Sequence, residues 1–141
     1  MIVQGQTTIF KKNVLSALEN FAVGTPYTYK IALYDANANL DNTTLAYSDT
    51  NEVVGTGYTA GGSVLTVIPP SSDTTVNDAW ISFNNVTWSP ASFTTRGALI
   101  YNATTGAAVC VLNFGSDKTA VNTFTVTFPT ADATNAIIRT S

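Results

Sequence analysis

An all-β fold, an antiparallel β-sandwich or jelly roll with one N-terminal α-helix, is predicted by three observations on this 141-residue chain. Short runs rich in Val, Ile, Tyr, Phe and Thr recur along it, separated by Gly, Pro, Asn and Ser turns. One stretch only, near the start, carries a helical period. Charged residues make up 11% of the chain, against about 25% in an ordinary soluble domain. Thr, Asn, Ser and Ala take their place, which suits neutral, solvent-facing strand surfaces.

The helical stretch is residues 8–21, TIFKKNVLSALENF, where Phe10, Val14, Ala17, Leu18 and Phe21 recur at spacings of three and four. Lys11, Lys12 and Glu19 fall largely off that stripe, Thr7 or Thr8 can cap the start, and Gly24 with Pro26 ends it. Residues 1–24 are accordingly expected to form an N-terminal helical arm and residues 25–141 a β-sandwich, one globular domain overall. The stripe Phe10, Val14, Leu18 and Phe21 either packs on its own domain or lies on a partner. Those four are the candidate partner-binding residues.

After Pro26 the period becomes two. Tyr27, Tyr29, Ile31 and Leu33 alternate with Thr28, Lys30, Ala32 and Tyr34, as in a half-buried strand. Residues 35–51 form a polar connection, and GTGYTAGG at 55–62 is a glycine-rich turn leading into a short strand at 64–68 that Pro69 and Pro70 stop. Residues 78–83 and 86–88 form a strand pair or one bulged strand, with Trp80 and Trp88 as core candidates and Pro90 as its break.

Residues 96–115, RGALIYNATTGAAVCVLNFG, are the longest apolar tract and contain their own turn. Residues 98–101 and 107–114 form the arms of a hairpin around the turn at 102–106, which ends in Gly106. Neither arm alternates, so both faces are expected to be covered. Phe124, Val126 and Phe128 then alternate with Thr123, Thr125 and Thr127 in a final clear strand, and residues 136–139 form a short edge strand.

Composition excludes several functions. The chain has no histidine, which removes Ser-His-Asp, Cys-His and histidine-ligated metal sites. The six basic residues are scattered and the net charge is −3, so nucleic acid is not an expected partner. No stretch approaches the roughly 20 apolar residues of a membrane helix, and MIVQGQTT has no secretory pattern, so assembly in a cytoplasm is expected. Cys110 reads as a buried, inert thiol.

The acid pairs Asp49 with Glu52 and Asp73 with Asp78 read as solvated loop acids rather than a glycosidase pair. Asp35, Asn37, Asn39 and Asp41 imitate the opening of a calcium loop, but Leu40 stands where that loop needs Gly and Ala46 where it needs Glu. An Asx-rich connection is expected instead. GTGYTAGG lacks the Lys-Ser/Thr of a phosphate loop. No catalytic, metal or cofactor residue is expected, and the chain is read as a non-enzyme.

The segments YKIALYDANANL, NEVVGTGYTAGG, DAWISFNNVTWSPASFTTRGALIYN and VLNFGSDKT, with FTVTFP and AIIR, together resemble a family of small tailed-bacteriophage virion proteins. The resemblance covers nearly the whole chain, and KIALY, GTGYTAGG and TTRGALIYN carry it best. Some members are capsid decoration or cement proteins of jelly-roll type. The resemblance implies a structural protein on the capsid surface that binds the major capsid protein and copies of itself, most simply as a trimer, with no cofactor. The alternative is a tail- or fibre-associated β-domain that reads a host surface glycan with exposed Tyr47, Tyr58 or Tyr101.

Overall fold

The computed structural model describes residues 1–140 and is an antiparallel all-β structure with one helix. Its elements are β1 (Gly5–Gln6), α1 (Thr8–Leu15), β2 (Tyr29–Tyr34), β3 (Ser63–Val64), β4 (Val67–Asp73), β5 (Asp78–Phe83), β6 (Val86–Asn102), β7 (Ala108–Val126) and β8 (Ile138–Thr140). One sheet has the order β1-β7-β6-β2-β3 and the other β4-β5-β8.

The predicted hairpin is the spine of the larger sheet, and it is far longer than its apolar centre. β6 has 17 residues and β7 has 19, paired from Tyr101↔Ala108 at the turn to Val86↔Val126 at the far end. The Thr-alternating run at 123–128, expected as a separate strand, thus largely continues β7. Asn102 starts the turn: its Oδ1 accepts from the N–H groups of Thr104 and Thr105, and Gly106 turns the chain at φ 82°.

Both faces of this sheet are buried, as the unbroken apolar runs require. Ile31, Leu33 and Ile100 face the core between the sheets, where they meet Ile81 and Phe83 of β5 and Ile138 of β8. Ala32, Tyr34, Leu99 and Tyr101 face the opposite way into a second cluster covered by Ile2 and Leu40. β2 is therefore fully buried rather than half-buried, because a polar-looking connection supplies the second cover. The N–H of Val3 donates to Leu40 O (2.8 Å) and that of Leu40 to Met1 O (3.1 Å), tying the chain start to that connection.

The three prolines expected to end strands do not end them. Pro69 and Pro70 lie inside β4, at a register shift between Ile68 and Ser71, and Pro90 lies inside β6, at a shift between Trp88 and Ala91. β4 is an edge strand, and a bulge leaves the missing N–H without a ladder partner to disappoint, so the strands run through. Residues 78–83 and 86–88 are not paired with each other. β5 joins β4 and β8, whereas β6 joins β7 in the other sheet. Trp88 is buried as expected, but Trp80 is only half-buried.

The helix is shorter than expected, covering Thr8–Leu15 rather than residues 8–21. Thr7, wholly buried, caps it by accepting from the Phe10 N–H, and its hydroxyl also donates to β7 at Ala108 O, 3.0 Å away. The helix stops at Leu15 because Ala17 takes φ 56°, so that Leu18 N–H reaches Asn13 O at 2.8 Å and Ala17 N–H reaches Val14 O. This is a Schellman closure with alanine where glycine is favoured. Ala17→Gly is expected to raise stability by about 1 kcal/mol, since it removes left-handed strain from a side chain that makes no core contact. A urea midpoint unchanged or lowered in the variant contradicts this.

Candidate functional site

The shortened helix leaves an open groove of about 760 Å³ between α1 and the smaller sheet. Phe10, Val14 and Leu15 line its helical side, and Trp80, Ile81 and Ile138 line its sheet side. Of the four residues singled out on the stripe, Phe10, Val14 and Phe21 line the groove; Leu18 does not. Their exposures differ. Phe10 is 3% exposed and belongs to the chain's own core, while Val14 (48%) and Leu18 (51%) face outward, as does Leu15 at 90%.

Phe21 is no longer on the helix yet still reaches the core. It stacks on Tyr29 with ring centroids 4.5 Å apart and meets Phe10 and Phe83 edge-on. The structure thus divides the stripe. Its two aromatic residues anchor residues 1–24 to this domain, while Val14 stays exposed at the groove's lip and Leu18 is exposed outside it. β1 also belongs to the larger sheet, through Gly5↔Val111 and Gln6↔Cys110.

Glu19, placed off the stripe from sequence, instead turns inward beside the groove. Its Oε2 accepts from the Tyr29 hydroxyl (2.7 Å) and from Asn102 Nδ2 (3.1 Å), which ties the end of the helical segment to the hairpin turn. Its Oε1 is buried without a hydrogen-bond partner. A buried acceptor left unmatched costs about 1–3 kcal/mol.

A second carboxylate is buried on the far side of β2. Glu52 is 7% exposed, and it accepts from the hydroxyls of Tyr47 and Tyr58, each at 2.6 Å, and from the Gly61 N–H at 2.7 Å. Asp78 is also buried, at 8%, and is held by Arg139. Both had been expected as solvated loop acids. Tertiary contacts bury them, and each has matched donors, so they act as structural ties rather than a facing acid and base.

The tyrosines proposed as stacking platforms are occupied. Tyr47 and Tyr101 stack on each other at 4.7 Å, and Tyr101, only 5% exposed, donates to Gly61 O. Tyr58 packs against Trp88 and Phe93 while its oxygen accepts from the Leu33 N–H.

Burial, the largest cause, raises the phenols of Tyr29, Tyr34, Tyr47, Tyr58 and Tyr101 above the usual tyrosine range, and Glu19 or Glu52 adds to the effect. The sign follows from linkage. The folded state holds these protons more tightly than the unfolded chain, so their contribution is complete below about pH 10 and is lost above it. Alkaline titration is expected to show their tyrosinate absorbance rising together with unfolding. Gradual ionisation of these five in a chain still folded contradicts this. Cys110 is buried, with its thiol pushed up to about 12 by burial, in keeping with an inert side chain.

The Asx-rich connection is built from short side-chain turns. Asp35 Oδ1 accepts from the Asn37 N–H, and Asp41 Oδ1 from both the N–H and hydroxyl of Thr43. Asp73 with Thr75 and Asp132 with Thr134 repeat the second device, and the Thr hydroxyl holds each of these three carboxyls below the usual range. Comparison with known protein families, curated proteins and solved structures finds no match to this chain.

Proposed function

We propose that this chain is a bacteriophage structural protein, a capsid decoration (cement) protein of jelly-roll type that stabilises the head by binding the major capsid protein. It works without catalysis or cofactor, on the virion surface, as a self-associating and most simply trimeric unit. One observation supports it above the others: the one helix among the described residues leaves Val14 and Leu15 exposed along an apolar groove, with Leu18 exposed just beyond it, and Phe10 and Phe21 fix that surface to the sandwich core. A cement protein needs such a presented surface, because many weak contacts on symmetric copies add up to strong attachment. The neutral Thr- and Asn-rich exterior is compatible with this, since salt weakens apolar contacts far less than charged ones.

Reconstruction of the virion that carries this chain is expected to show its density repeated at symmetry-related positions on the shell. Density confined to the neck or fibres overturns the reading and favours host recognition. A monomer in light scattering that also fails to sediment with expanded capsids counts equally against it.

A further inference from the structure

A strand edge needs either a partner or a guard, and most edges of this protein are guarded. β1 and β3 have two residues each, β8 has three with Arg139 among them, and β4 carries Pro69 and Pro70 at its register shift. β7 is the exception. β1 covers its outer side at Cys110 and Val111, but no strand pairs with that side of residues 118–126 among the described residues. Within that length the run TAVNTFTV, residues 119–126, holds neither a charge nor a proline. A long, uncharged edge is a template for another strand.

The run itself says which strand fits. Thr119, Val121, Thr123 and Thr125 are exposed on one face, while Ala120 and Val126 are buried and Phe124 is half-buried on the other. Asn122, at φ 75°, interrupts the strand in the middle, beside the register shift between Trp88 and Ala91. A strand of another sequence meets that interruption with an extended residue. The same run from a second copy, laid antiparallel about an axis through Asn122, sets interruption against interruption. Thr119 of one copy then lies opposite Thr125 of the other, Ala120 opposite Phe124 and Val121 opposite Thr123. The one charge in residues 118–126, Lys118, falls at the end opposite Val126, so no like charges meet.

The hydroxyls match as well. β6 and β7 already pair threonines across their ladder, Thr87 with Thr125 at 2.9 Å and Thr94 with Thr119 at 3.0 Å. A hydroxyl has one donor and two lone pairs, so it can bond on both sides. The contact carries the row on through Thr94 and Thr119 of one copy to Thr125 and Thr87 of the other. Phe114, Phe124 and Val126 also line an open hollow of about 290 Å³ at this edge, which an incoming strand covers.

We propose that the free edge of β7 pairs with the same edge of a second copy about a two-fold axis through Asn122, residues 118–121 of each chain facing 123–126 of the other. Such a contact is isologous and closes at two chains. It goes beyond the decoration role and is separate from the three-fold association of that role; on a shell it joins neighbouring three-fold units.

Two sets of full-chain variants test it. Thr119→Lys/Thr125→Lys and Thr119→Glu/Thr125→Glu each set like charges against each other across the axis, at exposed positions that face uncharged Thr94 and Thr87 within the chain. In sedimentation velocity each alone is expected to associate about tenfold more weakly than the native chain, and an equal mixture of the two to recover. Thr119→Cys/Thr125→Cys is expected to oxidise to a covalent dimer, with peptide mapping placing the disulfide between position 119 of one chain and position 125 of the other. Those positions lie about 20 Å apart within one chain, too far for an internal bridge, and Cys110 is buried. Thr119→Cys/Thr123→Cys, one register away, cross-links about tenfold more slowly.

A native chain that stays monomeric up to its solubility limit, association unchanged by the charged variants, a mixture that does not recover, or equal cross-linking of the two cysteine pairs overturns the proposal. Charged variants that keep the native oligomer but lose capsid binding assign the edge to the capsid protein instead, and also overturn it. The two proposals fail separately. Two-fold association without capsid binding removes the decoration role and leaves the contact, whereas capsid binding by a chain that forms no disulfide between positions 119 and 125 does the reverse.

Discussion

Replacing Glu52 by alanine is expected to lower stability by about 4 kcal/mol, one of the two largest single effects in this chain. Three donors converge on its carboxylate, from Tyr47, Tyr58 and Gly61, and none has another acceptor at hand. Leaving a buried donor unmatched costs about 1–3 kcal/mol. Only the Gly61 N–H is fully enclosed and Tyr47 and Tyr58 are half-buried, so the sum falls below three full penalties. Glu52→Gln keeps one acceptor oxygen and the volume, and is expected to lose about half as much. At about 3 °C per kcal/mol for a chain of this size, thermal melting should separate native, Gln and Ala forms in that order. Equal melting temperatures for all three sink the idea that Glu52 ties the connection to the sheet.

Gly62→Ala is expected to cost about 4 kcal/mol for a different reason. The added Cβ would lie 1.8 Å from Ile31 O and 2.6 Å from Ile31 C, which are backbone atoms of a strand paired on both sides. Neither can move without breaking a ladder, and φ is +76° in addition. Gly106→Ala serves as the comparison, because φ there is +82° but nothing lies within 4 Å of the new atom. It should cost about 1 kcal/mol, the conformational part alone. Equal losses at the two positions would show that close approach contributes nothing. Denaturant titration of both variants measures the difference.

The glycine-rich segment shows how far the sequence could be followed. GTGYTAGG is legible as a turn, because glycines in such density interrupt any period. Its role is not. Gly55 and Gly57 lie against the backbone of β6, at Ser92 and Pro90, and Gly62 against β2, while Tyr58 between them enters the core. A glycine needed for space and one needed for φ look alike until the neighbour is known. The carboxylates behave similarly: nothing in the residues next to Glu52 or Glu19 marks them for burial, and only the folded chain brings Tyr47, Tyr58 and Gly61 onto Glu52 and the distant Asn102 onto Glu19.

The helix gives the sharpest contrast. Alanine is the best helix former, so nothing at Ala17 signals a stop, and propensity favours continuing to Phe21. Stopping at Leu15 lets Phe21 stack on Tyr29 and Glu19 reach the hairpin turn, and those contacts outweigh a few tenths of a kcal/mol of propensity per residue. The candidate groove exists because of that early stop.

Composition and periodicity by themselves determined the all-β class, the single front helix, the central hairpin with its turn, and the burial of both its faces. These are properties of neighbours within a few residues, which the alternation of side chains across a strand records directly. Tertiary structure alone decided which strands pair, how prolines are carried within strands, where the helix ends and which acids are buried. Those outcomes depend on groups far apart in the chain, whose hydrogen bonds and packing are worth several times the local preferences they override.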